Sequence, residues 1–235
     1  MNGGILEISM QGLVYAFIPV LAVLLIMWRW QAGMGTAVYA MLRMLVQLLA
    51  IGYVLIYIFD SDNYWVIAGV LTIMIAVASW IAVRPLGTSK RRSWPSSLVA
   101  IGVTSSVILA LVTQIVIGVE PWFSPRYVVP LGGMVVTGAM NAVSLAAERF
   151  QSETARDEPL LDARRSAFKT ALIPITNMLF AVGLVSLPGM MTGQILSGVS
   201  PLIAAKYQII VMAMFFGTGG IAAAFYLELE IRRSA

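Results

Sequence analysis

The chain has neither cysteine nor histidine among its 235 residues. Those two absences together remove disulfides, zinc-type centres, thiol nucleophiles and imidazole general bases. Charge is also scarce, at 11% of residues against 60% hydrophobic, where a soluble domain carries roughly 25%. The interiors of the long apolar runs hold no Asp or Glu, so no carboxylate cage for a bare hard cation can form at mid-membrane. Without nucleophile, base or buried acid, the chain does not read as an enzyme. A basic leader is missing as well: Glu7 is the only charge ahead of the first apolar run. The run Ile8 to Trp28 is therefore expected to be a retained span rather than a signal peptide. The net charge of +4 does not point to nucleic acid, because the basic residues fall in short loops between apolar runs.

What the chain does have is length of apolar sequence. Uncharged runs cover Ile8 to Trp28, Asn63 to Val83, Ser93 to Val119, Tyr127 to Ala147, Thr170 to Ala205 and Tyr207 to Leu227; Gln31 to Phe59 contains one charge, Arg43. Each suffices for a helix rising ~1.5 Å per residue through a ~30 Å core. The fold expected is all-α: a polytopic membrane protein of about seven transmembrane helices, forming a single domain over 1–235. With the N-terminus outside and the C-terminus cytoplasmic, the inner side receives Arg29, Arg84, Lys90, Arg91, Arg92, Arg149, Arg156, Arg164, Arg165, Lys169, Arg232 and Arg233, whereas the outer side receives only Arg126 and Lys206. That is the bias that sets orientation.

The uncharged stretch from Thr170 to Ala205 is too long for one crossing and too short for two. Pro188-Gly189 and Gly198 to Pro201 interrupt it. One crossing ending at Pro188, followed by a re-entrant segment over about 188–202 with a short helix between the breaks, fits best. Irregular backbone at that depth is tolerated only where protein or a water-filled cavity satisfies it. An eight-span alternative would move Arg232 and Arg233 outside, against the charge bias. The one long polar stretch, Glu148 to Lys169, carries Leu160, Leu161, Ala163, Ala167 and Phe168 at helical spacing among Asp162, Arg164, Arg165 and Lys169. It suggests a short amphipathic surface helix, either anchored at the headgroups or seated in a groove of a cytoplasmic partner.

Polar residues within the spans are the candidate site. Tyr39, Arg43 and Gln47 share a face of the second span, with Arg43 roughly 10 Å deep; a pathway wall and simple snorkelling account for it equally well. Met134, Thr137, Asn141, Ser144 and Glu148 form a stripe on the fifth span, amid small residues that permit close helix approach. This stripe either lines a pathway or joins helices by hydrogen bonds. Pro174 frees the carbonyl of Thr170, and Asn177, one turn on, is placed to satisfy local backbone groups or to sit at a gate. Gln194, in the broken segment, and Lys206 and Gln208 beyond it make a candidate outer gate. The pairs Met190-Met191 and Met212 with Met214 invite a soft-metal reading, but Met in an apolar protein is mostly packing material, and no metal site is assigned. Gly87-Thr-Ser-Lys90 lacks the glycine spacing and preceding strand of a P-loop, so the chain itself binds no nucleotide cofactor.

The sequence LeuPro188GlyMetMetThrGlyGlnIleLeu, with SerProLeu and LysTyrGlnIle after it, resembles the signature of the FetB/YbbM-type permeases. Arg43-Met-Leu-Val-Gln47-Leu and the stretches Gly133-Met and Asn141-Ala-Val-Ser-Leu agree with it. These are the membrane halves of ABC transporters linked to iron export and, in plant relatives, to aluminium tolerance. The resemblance implies a permease subunit in the cytoplasmic (inner or plasma) membrane that exports iron or another small solute. It also implies a homodimer driven by a separate ABC-type ATPase that binds ATP-Mg. A coupling role then falls to the loop of about 148–169, with Glu148, Ala163, Arg164, Ala167 and Phe168 as its contacts. The pathway set is Arg43, Gln47, Met134, Thr137, Asn141, Ser144, Asn177, Met190, Met191 and Gln194. The rival reading is a stand-alone secondary transporter or channel with the broken segment as its selectivity element; the scarcity of ionisable residues in the spans counts against proton coupling.

Overall fold

The computed structural model describes residues 9–61 and 63–234, and all of its regular structure is helical apart from one isolated bridge between Val182 and Ser186. The chain divides into two compact units, one ending at Asp60 and one beginning at Ser61. In the first, α1 (Met10–Tyr15) and α2 (Ile18–Arg29) are separated by a short break ahead of Pro19, whose missing N–H suits the first turn of a helix. α2 packs against α3 (Met34–Phe59).

The second unit opens with α4 (Tyr64–Ala82), whose first turn is capped by the Asn63 side chain accepting from the Trp65 N–H at 2.9 Å. A 3₁₀ turn, Arg84–Ser89, leads to α5 (Lys90–Ala110), which widens into a π-helical segment, Leu111–Ile117. α6 (Pro125–Thr154), α7 (Leu160–Ala181), α8 (Gly189–Leu196) and α9 (Pro201–Ser234) complete it. α6 is central, with α4, α5, α7 and α9 all packed on it.

The core is built from small residues: Ala78, Ala82, Ala100, Ala139, Ala142, Ala146, Ala163, Ala167, Ala171, Ala222 and Ala223 are all buried, around the larger Ile101, Val143, Tyr226 and Leu227. In lipid there is little hydrophobic force between helices, so close backbone approach and dispersion must hold them. The α6–α9 crossing shows how close: a Cβ on Gly138 would lie 2.8 Å from Phe215 Cδ1, and one on Gly219 would lie 3.4 Å from the Ala142 Cβ. Bulky side chains instead face outward; Phe180, Ile115, Tyr53 and Leu202 are among many exposed large apolar residues. An apolar exterior on this scale belongs to a protein solvated by lipid.

Among the described residues, six helical stretches are long and apolar enough to cross a membrane: Met10–Arg29, Met34–Phe59, Tyr64–Ala82, Arg84–Ile117, Pro125–Thr154 and Pro201–Arg233. The polytopic all-α architecture agrees with the sequence reading; two boundaries do not. α6 runs on to Thr154 and α7 starts at Leu160, so the expected surface helix is the first two turns of α7 itself, and only residues 155–159 are a connection. α7 also stops at Ala181 rather than at Pro188. Val182 turns extended there, and the chain reverses through Gly183, whose N–H donates to the Ser186 carbonyl at 2.9 Å. The uncharged part of α7, from Thr170, is only about 18 Å long, so α7 alone does not supply a full apolar crossing. Pro188 instead caps α8, the eight-residue helix expected between the breaks. Gly198, at φ 92°, makes the second reversal, in a backbone region open to glycine at little cost.

Candidate functional site

The stripe on α6 survives as a stripe, but its direction is the informative part. Thr137, Asn141 and Glu148 are exposed, and Met134 and Ser144 half-buried, while Val135, Ala139, Ala142, Val143 and Ala146 on the opposite side are buried in the core. α6 thus turns its small residues inward, to α9, α7, α5 and α4, and its polar residues away from the second unit's own core. No hydrogen bond from Thr137, Asn141 or Ser144 joins α6 to another helix among the described residues, which removes the interhelical-glue account of the stripe within one chain.

α8 carries Met190, Met191 and Gln194, all half-buried, and packs against α9. Between the end of α7, the 182–187 turn, α8 and α9 lies an open pocket of about 530 Å³ lined by Met191, Gln208, Met212 and apolar neighbours. Gln208 is 6% exposed and its Oε1 has no partner among the described residues; Gln194 Oε1 is likewise buried without one there. A buried amide oxygen left unpaired costs about 1–3 kcal/mol; of the two, Gln208 lines the pocket. Of the predicted gate, Lys206 is exposed on α9 and does not line this pocket. Gln208 and Met212 belong with the site more closely than sequence spacing indicated, because the turn after Ala181 sets which face of α9 meets α8.

Asn177 is exposed on α7 and makes no hydrogen bond to the backbone freed by Pro174 among the described residues. Arg43, in the first unit, lies nine residues into α3, about 14 Å along its axis. It is half-buried with no ion-pair partner among the described residues, and Gln47 on the same face is exposed.

At the polar end of α7, Ala163 and Ala167 are 1% and 0% exposed and belong to the helix-packing core, with Phe168 half-buried against it. Arg164 pairs with Glu228 of α9, and Arg149 with Glu153 one turn along α6 at 2.5 Å. The outer surface of this end is therefore made by residues 155–159 together with Leu161, Asp162 and Arg165, all exposed. Nearby, Ser93 Oγ donates to Glu230 at 2.9 Å, and Arg233 donates to the Arg92 carbonyl and to Ser96 Oγ, clamping α9 to α5. No cluster of three or more acidic residues able to hold a metal ion is found among the described residues.

Apolar helices around an alanine core, a helix-break-helix insertion and a polar stripe on the outer face define an integral membrane protein of the polytopic helical class. The chain belongs to the uncharacterised protein family UPF0014, whose profile matches residues 10–163 and 154–234. It is 32% identical over 216 residues to a UPF0014 membrane protein of Synechocystis, covering 86% of this chain and 83% of that one. It is 32% identical to Protein ALUMINUM SENSITIVE 3 of Arabidopsis thaliana, over 80% of this chain and 73% of the relative. The match to the probable iron export permease protein FetB of Escherichia coli is 30% identical, over 81% and 78%. No solved structure matches. Family membership points to a role in membrane transport.

Proposed function

We propose that this chain is the membrane-spanning permease of an ABC-type exporter, acting as a homodimer and driven by a separate ATPase that binds ATP-Mg. The observation that carries this reading is the outward polar stripe of α6. Polar side chains are poorly tolerated against lipid, and within one chain these make no interhelical bond. A second copy facing the same stripe would enclose Thr137, Asn141 and Ser144 between the two subunits as the wall of a pathway, with Met134 at one end and Glu148 at the cytoplasmic mouth. The charge bias supports an N-terminus outside and a C-terminus in the cytoplasm of an inner or plasma membrane.

Coupling falls to the exposed tip, residues 155–159 with Leu161, Asp162 and Arg165, where an ATPase groove can reach it. Ala163, Ala167 and Phe168 act beneath it, transmitting a push on the tip into α6 and α9, and the Arg164–Glu228 pair ties the movement to α9. By likeness to the probable iron export permease, the cargo is a metal ion or a small metal complex. The apolar interiors of the spans hold no Asp or Glu, so a cation crosses chelated or held by amide, hydroxyl and thioether ligands.

The pocket holding Met191, Gln208 and Met212 favours a second reading, a stand-alone carrier or channel that selects at α8. Reconstitution into proteoliposomes with the ATPase encoded beside the chain separates the two. Asn141→Leu should reduce ATP-dependent transport at least tenfold while leaving the melting temperature unchanged. Full transport by that variant, or transport by the wild type without any ATPase, would sink the proposal.

A further inference from the structure

A second cavity lies at the end of the second unit where α4 begins, α5 finishes and α6 begins. It measures about 220 Å³. Ile67, Leu71, Leu109 and Val136 form its walls, and no charged residue lines it. At its mouth Tyr64, Trp122 and Phe123 meet ring to ring, with centroids 6.2 Å (Tyr64–Trp122), 6.3 Å (Tyr64–Phe123) and 5.5 Å (Trp122–Phe123) apart. Such rings collect at the membrane interface. The π-helical segment forms part of the wall, and π segments recur at functional sites. Its own polar groups are committed: Thr113 Oγ1 donates to the Leu109 carbonyl at 2.8 Å, and Gln114 Nε2 donates to Thr113 Oγ1 and to the Trp122 carbonyl, pinning the mouth.

One group is not committed. Ser105 is 2% exposed, lines the cavity, and its hydroxyl has no partner among the described residues. A serine inside a helix ordinarily returns its proton to the carbonyl four residues back, as Ser79 does to Ile75; Ser105 forgoes that bond. An apolar cavity of about 150 Å³ already admits a benzene-sized molecule, and water needs two or more polar partners to settle.

We propose that this cavity binds a neutral, lipid-soluble molecule, an apolar ring or chain bearing one oxygen, with the Ser105 hydroxyl donating to that oxygen and the aromatic mouth closing over the apolar body. Neutrality follows from the lining, which offers a charged ligand no counter-ion. The oxygen follows from Ser105, the buried donor in the lining left unpaired among the described residues. Size limits what is enclosed to a small ring with a substituent or to a segment of a longer chain.

The test is photolabelling of the full chain in phosphatidylcholine nanodiscs, in two arms that separate the sources of such a ligand. One arm adds a diazirine-bearing benzyl alcohol to the medium; the other builds in a phosphatidylcholine with the diazirine on its acyl chain. Labelled peptides should map to α4, α5 and the start of α6 around the cavity. Labelling in the first arm alone identifies a free molecule as the occupant; labelling in the second identifies a bilayer lipid. Ala68→Phe, at an exposed position on the rim, should cut labelling there at least tenfold. Ala110→Phe, at a second exposed rim position, serves if the first variant elutes as aggregate. Ser105→Ala should raise the half-saturating probe concentration about fivefold, the loss of one hydrogen bond. Absence of cavity labelling in both arms, or labelling that both rim variants leave intact, or a Ser105→Ala curve that overlays the wild type, would overturn the assignment.

Discussion

Ala163 and Arg164 are neighbours on α7 with opposite surroundings, and substitutions at the two should behave accordingly. The Arg164–Glu228 pair has side chains 40% and 46% exposed, so Arg164→Ala should cost less than about 1 kcal/mol of stability. Ala163 is 1% exposed within the alanine core, and Ala163→Glu would force a carboxylate into that packing; several kcal/mol and loss of a monodisperse protein are expected. Thermal melts of the two variants in detergent check this directly. The sequence supported the pattern in this region but not its depth. Leu160, Ala163, Ala167 and Phe168 are at helical spacing, and that spacing suits a headgroup-bound helix as well as a buried face. Residues this small give little hydrophobic signal to decide between them. The same holds on α6, where the period of Thr137, Asn141 and Ser144 was legible and its direction was not. The inward face is marked by alanine and glycine, and their role shows only when a second helix is seen lying against them.

Among the elements, α6 and α9 depend on each other most. A methyl group on Gly138 would sit 2.8 Å from the Phe215 ring, well inside contact distance, so the helices must part or the ring must swing. Gly138→Ala should destabilise the bundle by about 1–3 kcal/mol, and Phe215→Leu in the same chain should recover part of that loss. A melt of the double variant at or below the single one would show that the crossing is not where the strain arises. The spans themselves were legible because uncharged runs and positive loops are direct consequences of the bilayer. Their ends were harder to place. α6 and α7 continue as helices into polar sequence because backbone hydrogen bonding does not stop at the membrane surface, and α7 ends early because a turn at Val182 and Gly183 precedes the more conspicuous Pro188. The cavity around Ser105 left no trace in the sequence, since it depends on how a π-helical segment sets one helix against two others.

For the molecule as a whole, a pathway along the α6 stripe requires a second copy. A chain with no cysteine makes that easy to examine: Thr137→Cys or Asn141→Cys, on the exposed stripe, should yield a disulfide-linked dimer on mild oxidation in native membranes. Val135→Cys, buried at 0% exposure, should not. Equal crosslinking at all three positions, or at none, would remove the stripe from the subunit interface.

The most direct measurement is ATP hydrolysis by the ABC-type ATPase encoded nearest this chain, alone and reconstituted with it, with a Leu161→Glu/Arg165→Glu variant of the exposed tip alongside. The account predicts that the two proteins copurify, that the wild-type chain changes the hydrolysis rate severalfold, and that the tip variant, though folded, does neither. An ATPase that fails to bind, or whose rate is the same with and without the chain, would contradict the account and leave α8 and its Met191–Gln208–Met212 pocket as the working part of a transporter that acts alone.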